Sequence, residues 1–525
     1  MHYTTHFSTK ETPQSERIPG SSQVENSTGG FSWAVDDWMR LDRFLVLGSE
    51  GGSYYASERK LTVENAEAVM RCIVQNGVRV VQRIVEVSDS GRAPKNDPAL
   101  FALAMVAGTG NPETRKAALA ALPKVARIGT HLFTFAEYVQ AFRGWGRGLR
   151  TAIGNWYTQQ TVDDLAYQLV KYRQRNGWSH RDLLRLAHPK KLGAHDLLFQ
   201  WVTQGKRGDG IHDLVEQFAR LQETKTEHDA VAIIEADKRI TWEMVPTKLL
   251  GSAKMWNALL PHMPLHAMIR NLGRMSANGL LKPMSVSAKL VGEKLANRDQ
   301  IVKSRLHPIA VLTALHTYKN GRGNLGKLEW EPVESVCDAL DDAFYAAFGN
   351  VEPSGKRMLL ALDVSGSMSG GAVAGVKGLT PRIASVAMAM VTARTEPQYH
   401  VMAFANGFVP LTITKKETLD AVMRKADALS MDGTDCALPM LWALKEKISV
   451  DTFVVYTDSE TWAGNIHPSQ ALAQYRNAMQ IPAKLVVVGM VSNGFTVADP
   501  NDRGMLDVVG FDIAAPNLIT NFAKE

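Results

Sequence analysis

Asp363-Val364-Ser365-Gly366-Ser367 sets one carboxylate and two hydroxyls at alternating positions, with a glycine that lets the backbone bend closely between them. On a loop leaving a strand, such spacing turns three oxygens towards one point. Two later segments offer further oxygens: Asp432-Gly433-Thr434 a hydroxyl, and Asp458 a carboxylate. Hard divalent cations take oxygen ligands, and Mg²⁺ needs few charged ones because it keeps several waters. No nucleophile–base pair accompanies these residues. The carboxylates are also too few for two-metal phosphodiester chemistry. The constellation therefore reads as a binding site with an open coordination position suited to an acidic group, and not as a catalytic one.

A second constellation is cationic. Lys171, Arg173 and Arg175 precede an expected turn, and His180 and Arg181 begin the next helix. Cations grouped at a helix N-terminus favour phosphate. Trp145, Trp156, Tyr157, Tyr172 and Trp178 interleave with them, and aromatic faces can stack unpaired bases. The competing reading is a solvated charged face over core aromatics. The charge distribution bears on this choice. The chain carries +6 overall, yet residues 356–525 hold 15 Lys and Arg against 16 Asp and Glu. Residues 141–207 alone hold 12 basic against 4 acidic residues, a local footprint for a polyanion.

Other motifs fail on context. Gly321-Arg322-Gly323-Asn324-Leu325-Gly326 matches GxGxxG but follows a helical stretch, not a strand. Val376 interrupts the near phosphate loop Gly370 to Lys377, and Pro264 between His262 and His266 excludes a zincin. Cys72, Cys337 and Cys436 lie too far apart for a CxxC site or a disulfide framework. The first 30 residues lack the apolar core of a signal peptide, and the longest uncharged apolar run, Ile383 to Ala393, is about half a membrane span. The expected location is the cytoplasm, without a membrane partner.

Two kinds of architecture must position these groups. Residues 1–30 read as a disordered arm. From about residue 31 to 355, apolar residues recur at three and four, as in Leu61, Ala66, Val69, Met70 and Ile73. Some 300 residues of ordinary helices suggest stacked pairs, since a single bundle rarely grows so large. Ser179 and Asp182 have capping-box spacing. From 356 to 525 the pattern changes to short apolar runs, Met358–Leu362, 400–404, 453–456 and 485–488, separated by helical segments such as Pro381–Arg394 behind Thr380. That alternation predicts a doubly wound α/β sheet, with its site at the carboxyl ends of the strands.

The D-x-S-x-S, Thr, Asp order resembles the metal-ion-dependent adhesion site of von Willebrand factor A domains. By that resemblance Asp363, Ser365 and Ser367 form the first ligand loop, Thr434 the second and Asp458 the third, with Mg²⁺ the expected ion. Three longer strings, Lys171 to Leu186, Met263 to Gly273 and Arg305 to Leu312, resemble the Ro autoantigen, or TROVE-domain, family. The resemblance covers about residues 31–525. It implies a ring of HEAT-like helical repeats closed by a Rossmann-like A-type domain. It also implies Y RNA on the outer basic surface, with Lys171, Arg173, Arg175, His180 and Arg181 as candidate contacts. Single-stranded 3′ ends of misfolded RNAs would enter the central hole. The expected protein is a monomer within a ribonucleoprotein of RNA quality control, with a 3′ exoribonuclease as a possible partner and no catalysis of its own. The alternative is a protein-binding helical scaffold whose metal site grips an acidic partner.

Overall fold

The computed structural model describes residues 11–190, 193–323, 327–349, 351–376, 378–415, 417–429 and 433–525. The chain divides into two compact units. One holds Ile73–Gly91 and Asn96–Ala347; the other joins the residues up to Cys72 and a short Arg92–Lys95 segment to Phe348–Glu525.

The first of these units is helical. Asp97–Thr109 packs along Gly129–Phe142, Pro112–Val125 on Arg147–Thr158, and that helix on His180–Ala187; Pro308–Lys319 and Val286–Ala296 both pack on Glu334–Ala346. Helix starts follow local chemistry. Asn111, Thr161 and Ser285 each accept a bond from the backbone N–H three residues on, relieving an otherwise unpaired donor. The expected capping box at Ser179 and Asp182 is present in both directions. One feature departs from the all-helical expectation. Gln174–Arg175 and Trp178–Ser179 form an antiparallel hairpin, closed by Asn176 and Gly177 at φ 53° and 78°. Two successive left-handed residues make the primed turn that suits a two-residue hairpin, and Asn-Gly is its preferred sequence.

The other unit is built on a six-stranded sheet. Its strand order is Met505–Val509, Lys484–Gly489, Thr452–Thr457, Met358–Asp363, Tyr399–Phe404, Phe408–Pro410. All neighbours are parallel except the last pair. Every residue of Met358–Asp363 and Thr452–Thr457 is buried, which is why those strands read as unbroken apolar runs. Met358–Asp363 pairs with Tyr399–Phe404 on one side and with Thr452–Thr457 on the other. The chain therefore changes direction of winding at this strand, and the crevice beyond its carboxyl end is the expected ligand position.

The expected disordered arm and the boundary at residue 31 need correction. Residues 1–10 lie outside the described residues, but residues 11–34 are ordered against the α/β unit. Val24–Glu25 pairs with Phe31–Ala34, which pairs in turn with Phe495–Thr496. The helix Asp37–Leu47 then buries Leu41, Phe44 and Leu45. Its Arg43, fully buried, makes a two-pronged ion pair with Asp507 at 2.7 and 2.8 Å. The sequence misled because this polar strap contributes backbone pairing and amide bonds more than apolar surface. Among the described residues, no helix is long and apolar enough to cross a membrane.

Candidate metal centre and basic surface

The carboxyl ends of the two central strands deliver Asp363 and Asp458 beside one another, both buried. Asp363 ends its strand. One carboxylate oxygen accepts the Ser365 N–H at 2.9 Å, and the other accepts the Thr457 hydroxyl at 2.7 Å. The Ser365 and Ser367 hydroxyls share a hydrogen bond at 3.1 Å. Arg382 Nη2 donates to the Val364 and Ser365 carbonyls at 2.7 and 3.1 Å, tying the loop to the helix Pro381–Thr395. Glu460 N–H donates to Asp458 at 3.2 Å, and Asn493 holds the Asp458 carbonyl at 2.7 Å. Thr434 is buried on the adjoining loop. Its carbonyl accepts the N–H groups of Trp462 and Ala463, both at 3.0 Å. Asp432, read with it, lies outside the described residues; Gly433 takes the left-handed φ of 79° that the turn needs.

Electrostatics test whether a cation fits. Burial pushes the Asp363 carboxyl above its ordinary range, against the lowering effect of its bonds to Ser365 and Thr457. Asp458 is also pushed up, first by burial and then by the nearby charges of Asp363 and Glu460. The two buried acids thus lie within each other's field, with the Arg382 guanidinium acting on Asp363. Among the described residues, no cluster of three or more His, Cys, Asp or Glu is placed to hold a metal ion. A cation here would thus rely on hydroxyls beside two carboxylates, the neutral-rich oxygen set that leaves a hard ion with open positions. The donor set fits Mg²⁺ or Mn²⁺.

Sequence reasoning missed four neighbours of this site. Thr457 was legible as the polar end of an apolar strand. Glu460 sat two residues beyond Asp458. Tyr55, whose pKa is raised by burial and then by the charge of Asp458, and Gln14, bonded to Asp435, come from far upstream and carried no local signal.

On the helical unit, the hairpin carries Arg175, with Lys171 and Arg173 just before it and Arg181 just after. Arg173, Arg175 and Arg181 are exposed, whereas Lys171 is half-buried. The Lys171 ammonium bonds the Tyr167 hydroxyl at 2.9 Å and lies 5.1 Å from the Tyr167 and Tyr172 ring centres. Arg173 lies over the Phe218 ring, and Arg175 is 3.9 Å from Asp97. Trp145 and Trp178 sit half-buried with ring centres 5.4 Å apart. Trp156 and Tyr157 are core.

His180 needs correction as a candidate contact. Its ring is 2% exposed, packs 4.7 Å from Phe133, and is hydrogen-bonded through Nδ1 to the Tyr157 hydroxyl at 2.9 Å. Burial lowers its pKa to about 3, so it stays neutral. It begins a helix whose apolar face turns inward at that position, and the ring follows that face. His266 likewise bonds the Ser304 carbonyl at 3.1 Å.

A unit of packed helices joined to an α/β unit with buried carboxylate and hydroxyl oxygens at its strand ends points to the class: a TROVE module with a von Willebrand A-type domain. Family models agree, the TROVE domain matching residues 24–231 and 230–317 and the Ro60 vWA domain residues 357–523. The chain is 45% identical over 518 residues to RNA-binding protein RO60 of Deinococcus radiodurans, covering 98% of this chain and 97% of that protein. It is 35% identical over 595 residues to RNA-binding protein RO60 of Caenorhabditis elegans, covering 98% and 92%. The crystal structure of the Deinococcus radiodurans RO (RSR) protein superposes with a TM-score of 0.70 at 44% identity, covering 93% of this chain and 99% of that one. The chain belongs to the Ro60 family.

Proposed function

We propose that this protein is a non-catalytic RNA-binding scaffold of a ribonucleoprotein acting in RNA quality control. Its exposed hairpin cluster would hold a small structured Y RNA. A separate site on the helical unit would take single-stranded 3′ ends of misfolded RNAs, for delivery to a 3′ exoribonuclease. The observation that carries the reading is the Gln174–Ser179 hairpin with its exposed Arg175, flanked by exposed Arg173 before it and Arg181 in the first turn of the next helix, beside the paired rings of Trp145 and Trp178. Family membership supports it, since the relatives are named as RNA-binding proteins. The metal site, occupied by Mg²⁺, would capture an acidic group of a protein partner through the ion's open position.

Filter binding of a Y RNA and of a bare single-stranded tail across a salt series tests the reading. Changing Arg173, Arg175 and Arg181 to Ala should weaken the Y RNA most. The salt slope should fall by about 0.9 for each phosphate that is no longer neutralised. Arg175 should contribute least, because Asp97 already offsets part of its charge. Unchanged affinity and slope for both RNAs would reduce the cluster to a solvated face.

A further inference from the structure

The residues that follow Asp458 are held from behind by the N-terminal strap. Ser32 Oγ donates to the Ser459 carbonyl at 3.1 Å, the Ser27 N–H donates to the Glu460 carboxylate at 2.7 Å, and Asn26 Nδ2 donates to the Thr461 carbonyl at 2.8 Å. Gly30 lies so close that a Cβ there would collide with the Thr461 carbonyl oxygen. The strap therefore touches Ser459, Glu460 and Thr461 in succession.

Gln14 is the node of this contact. It is fully buried, and each of its polar groups is engaged. Nε2 donates to Asp435 Oδ1 at 2.7 Å and to the Ile466 carbonyl at 2.8 Å, while Oε1 accepts from the Thr461 hydroxyl. Its N–H donates to the Gly464 carbonyl and its carbonyl accepts from Phe31, both at 2.8 Å. The Thr461 hydroxyl oxygen, in turn, is 3.2 Å from the Thr434 carbonyl and accepts the Cys436 N–H at 3.1 Å. One amide thus ties the loop of Thr434 to the loop of Asp458. Asp363, Ser365 and Ser367 need no such help, because one strand end carries all three.

We propose that Gln14 is a positioning residue of the metal site, setting the second ligand loop against the third, so that cation affinity depends on a docked N-terminal strap. This rests on the metal reading above. A small hard cation demands near-ideal oxygen placement, and residues that orient ligands typically contribute ten- to a hundredfold in affinity.

Mn²⁺ titration of the full chain, followed by electron paramagnetic resonance of the free ion, is the test. Gln14→Ala and Gly30→Ala should each raise the Mn²⁺ dissociation constant roughly tenfold or more. Gln23→Ala should stay within about twofold: Gln23 is a buried strap residue whose side chain bonds His467 and the strap itself, and not the metal loops. A folded Gln14→Ala protein with wild-type Mn²⁺ affinity would overturn the proposal and leave Gln14 as structural glue. Should Gln14→Ala not fold, hydrogen exchange on the wild type decides. Linkage is reciprocal, so Mn²⁺ must slow exchange at the Gln14 and Phe31 amides and must not do so in Asp363→Ala. Unchanged exchange overturns the proposal. A wild type that binds no more Mn²⁺ than Asp363→Ala instead removes the metal reading, a separate and recognisable result.

Discussion

Replacing Arg43 with Met tests whether the N-terminal helix is an integral part of the α/β unit. The Arg43 guanidinium holds both oxygens of Asp507, which is only 3% exposed, and also donates to the Asn493 and Phe495 carbonyls at 3.1 and 2.8 Å. Asp507 lies on the edge strand Met505–Val509, so the pair spans more than 460 residues of sequence. Removing the cation leaves a buried carboxylate with no counter-charge, which costs about 3–5 kcal/mol. The two carbonyls lose a charged donor as well, so the upper half of that range is expected. The companion variant Arg43→Met with Asp507→Leu removes both charges and should recover a substantial part, with a coupling of roughly 1–3 kcal/mol in the double-mutant cycle. Urea unfolding followed by a probe in the α/β unit measures it. A single variant that loses less than about 1 kcal/mol, or a cycle without coupling, would refute the argument that this helix is locked in by a buried charge pair.

Asp363→Ala should abolish Mn²⁺ binding in calorimetry while leaving RNA affinity nearly unchanged, because the basic cluster lies on the other unit. Purified protein with Mg²⁺ should not shorten an end-labelled RNA; cleavage that persists through repurification and vanishes in Asp363→Ala would revive a hydrolase. The His180 ring should not titrate between pH 8 and 5 by NMR, since its folded pKa is about 3. A midpoint near 6.5 would contradict its burial. The unfolded state binds the extra proton, so the helical unit should lose stability as the pH falls below about 6.5, by up to about 1.4 kcal/mol per pH unit from this residue.

The local motifs were legible because each depends on neighbours in sequence. Asp363, Ser365 and Ser367 share one loop, the fully buried strands announce themselves as apolar runs, and the Ser179–Asp182 capping box needs only three residues. The edge strand Met505–Val509 was not legible, because Asp507 interrupts it and its reason, Arg43, lies in another part of the chain. The strap was misread for the same reason. Gln14, Asn26 and Ser27 look like disordered polar sequence until Asp435, Thr461 and Glu460 are placed beside them. His180 sat in a cationic string, and only the packing of Phe133, Trp156 and Tyr157 reveals that its ring points inward.

The union of residues up to Cys72 with Phe348–Glu525 also sets a timetable. On a ribosome the strap and the helix Asp37–Leu47 emerge well before the strands Phe495–Thr496 and Met505–Val509 that pair with and pack on them. At roughly 5–20 residues per second, about 20–90 seconds separate the two events. Throughout that interval the polar strap and the apolar face of the helix Asp37–Leu47 wait without the strands they pair with and pack on. A nascent chain therefore carries Leu41, Phe44 and Leu45 uncovered until those late strands arrive.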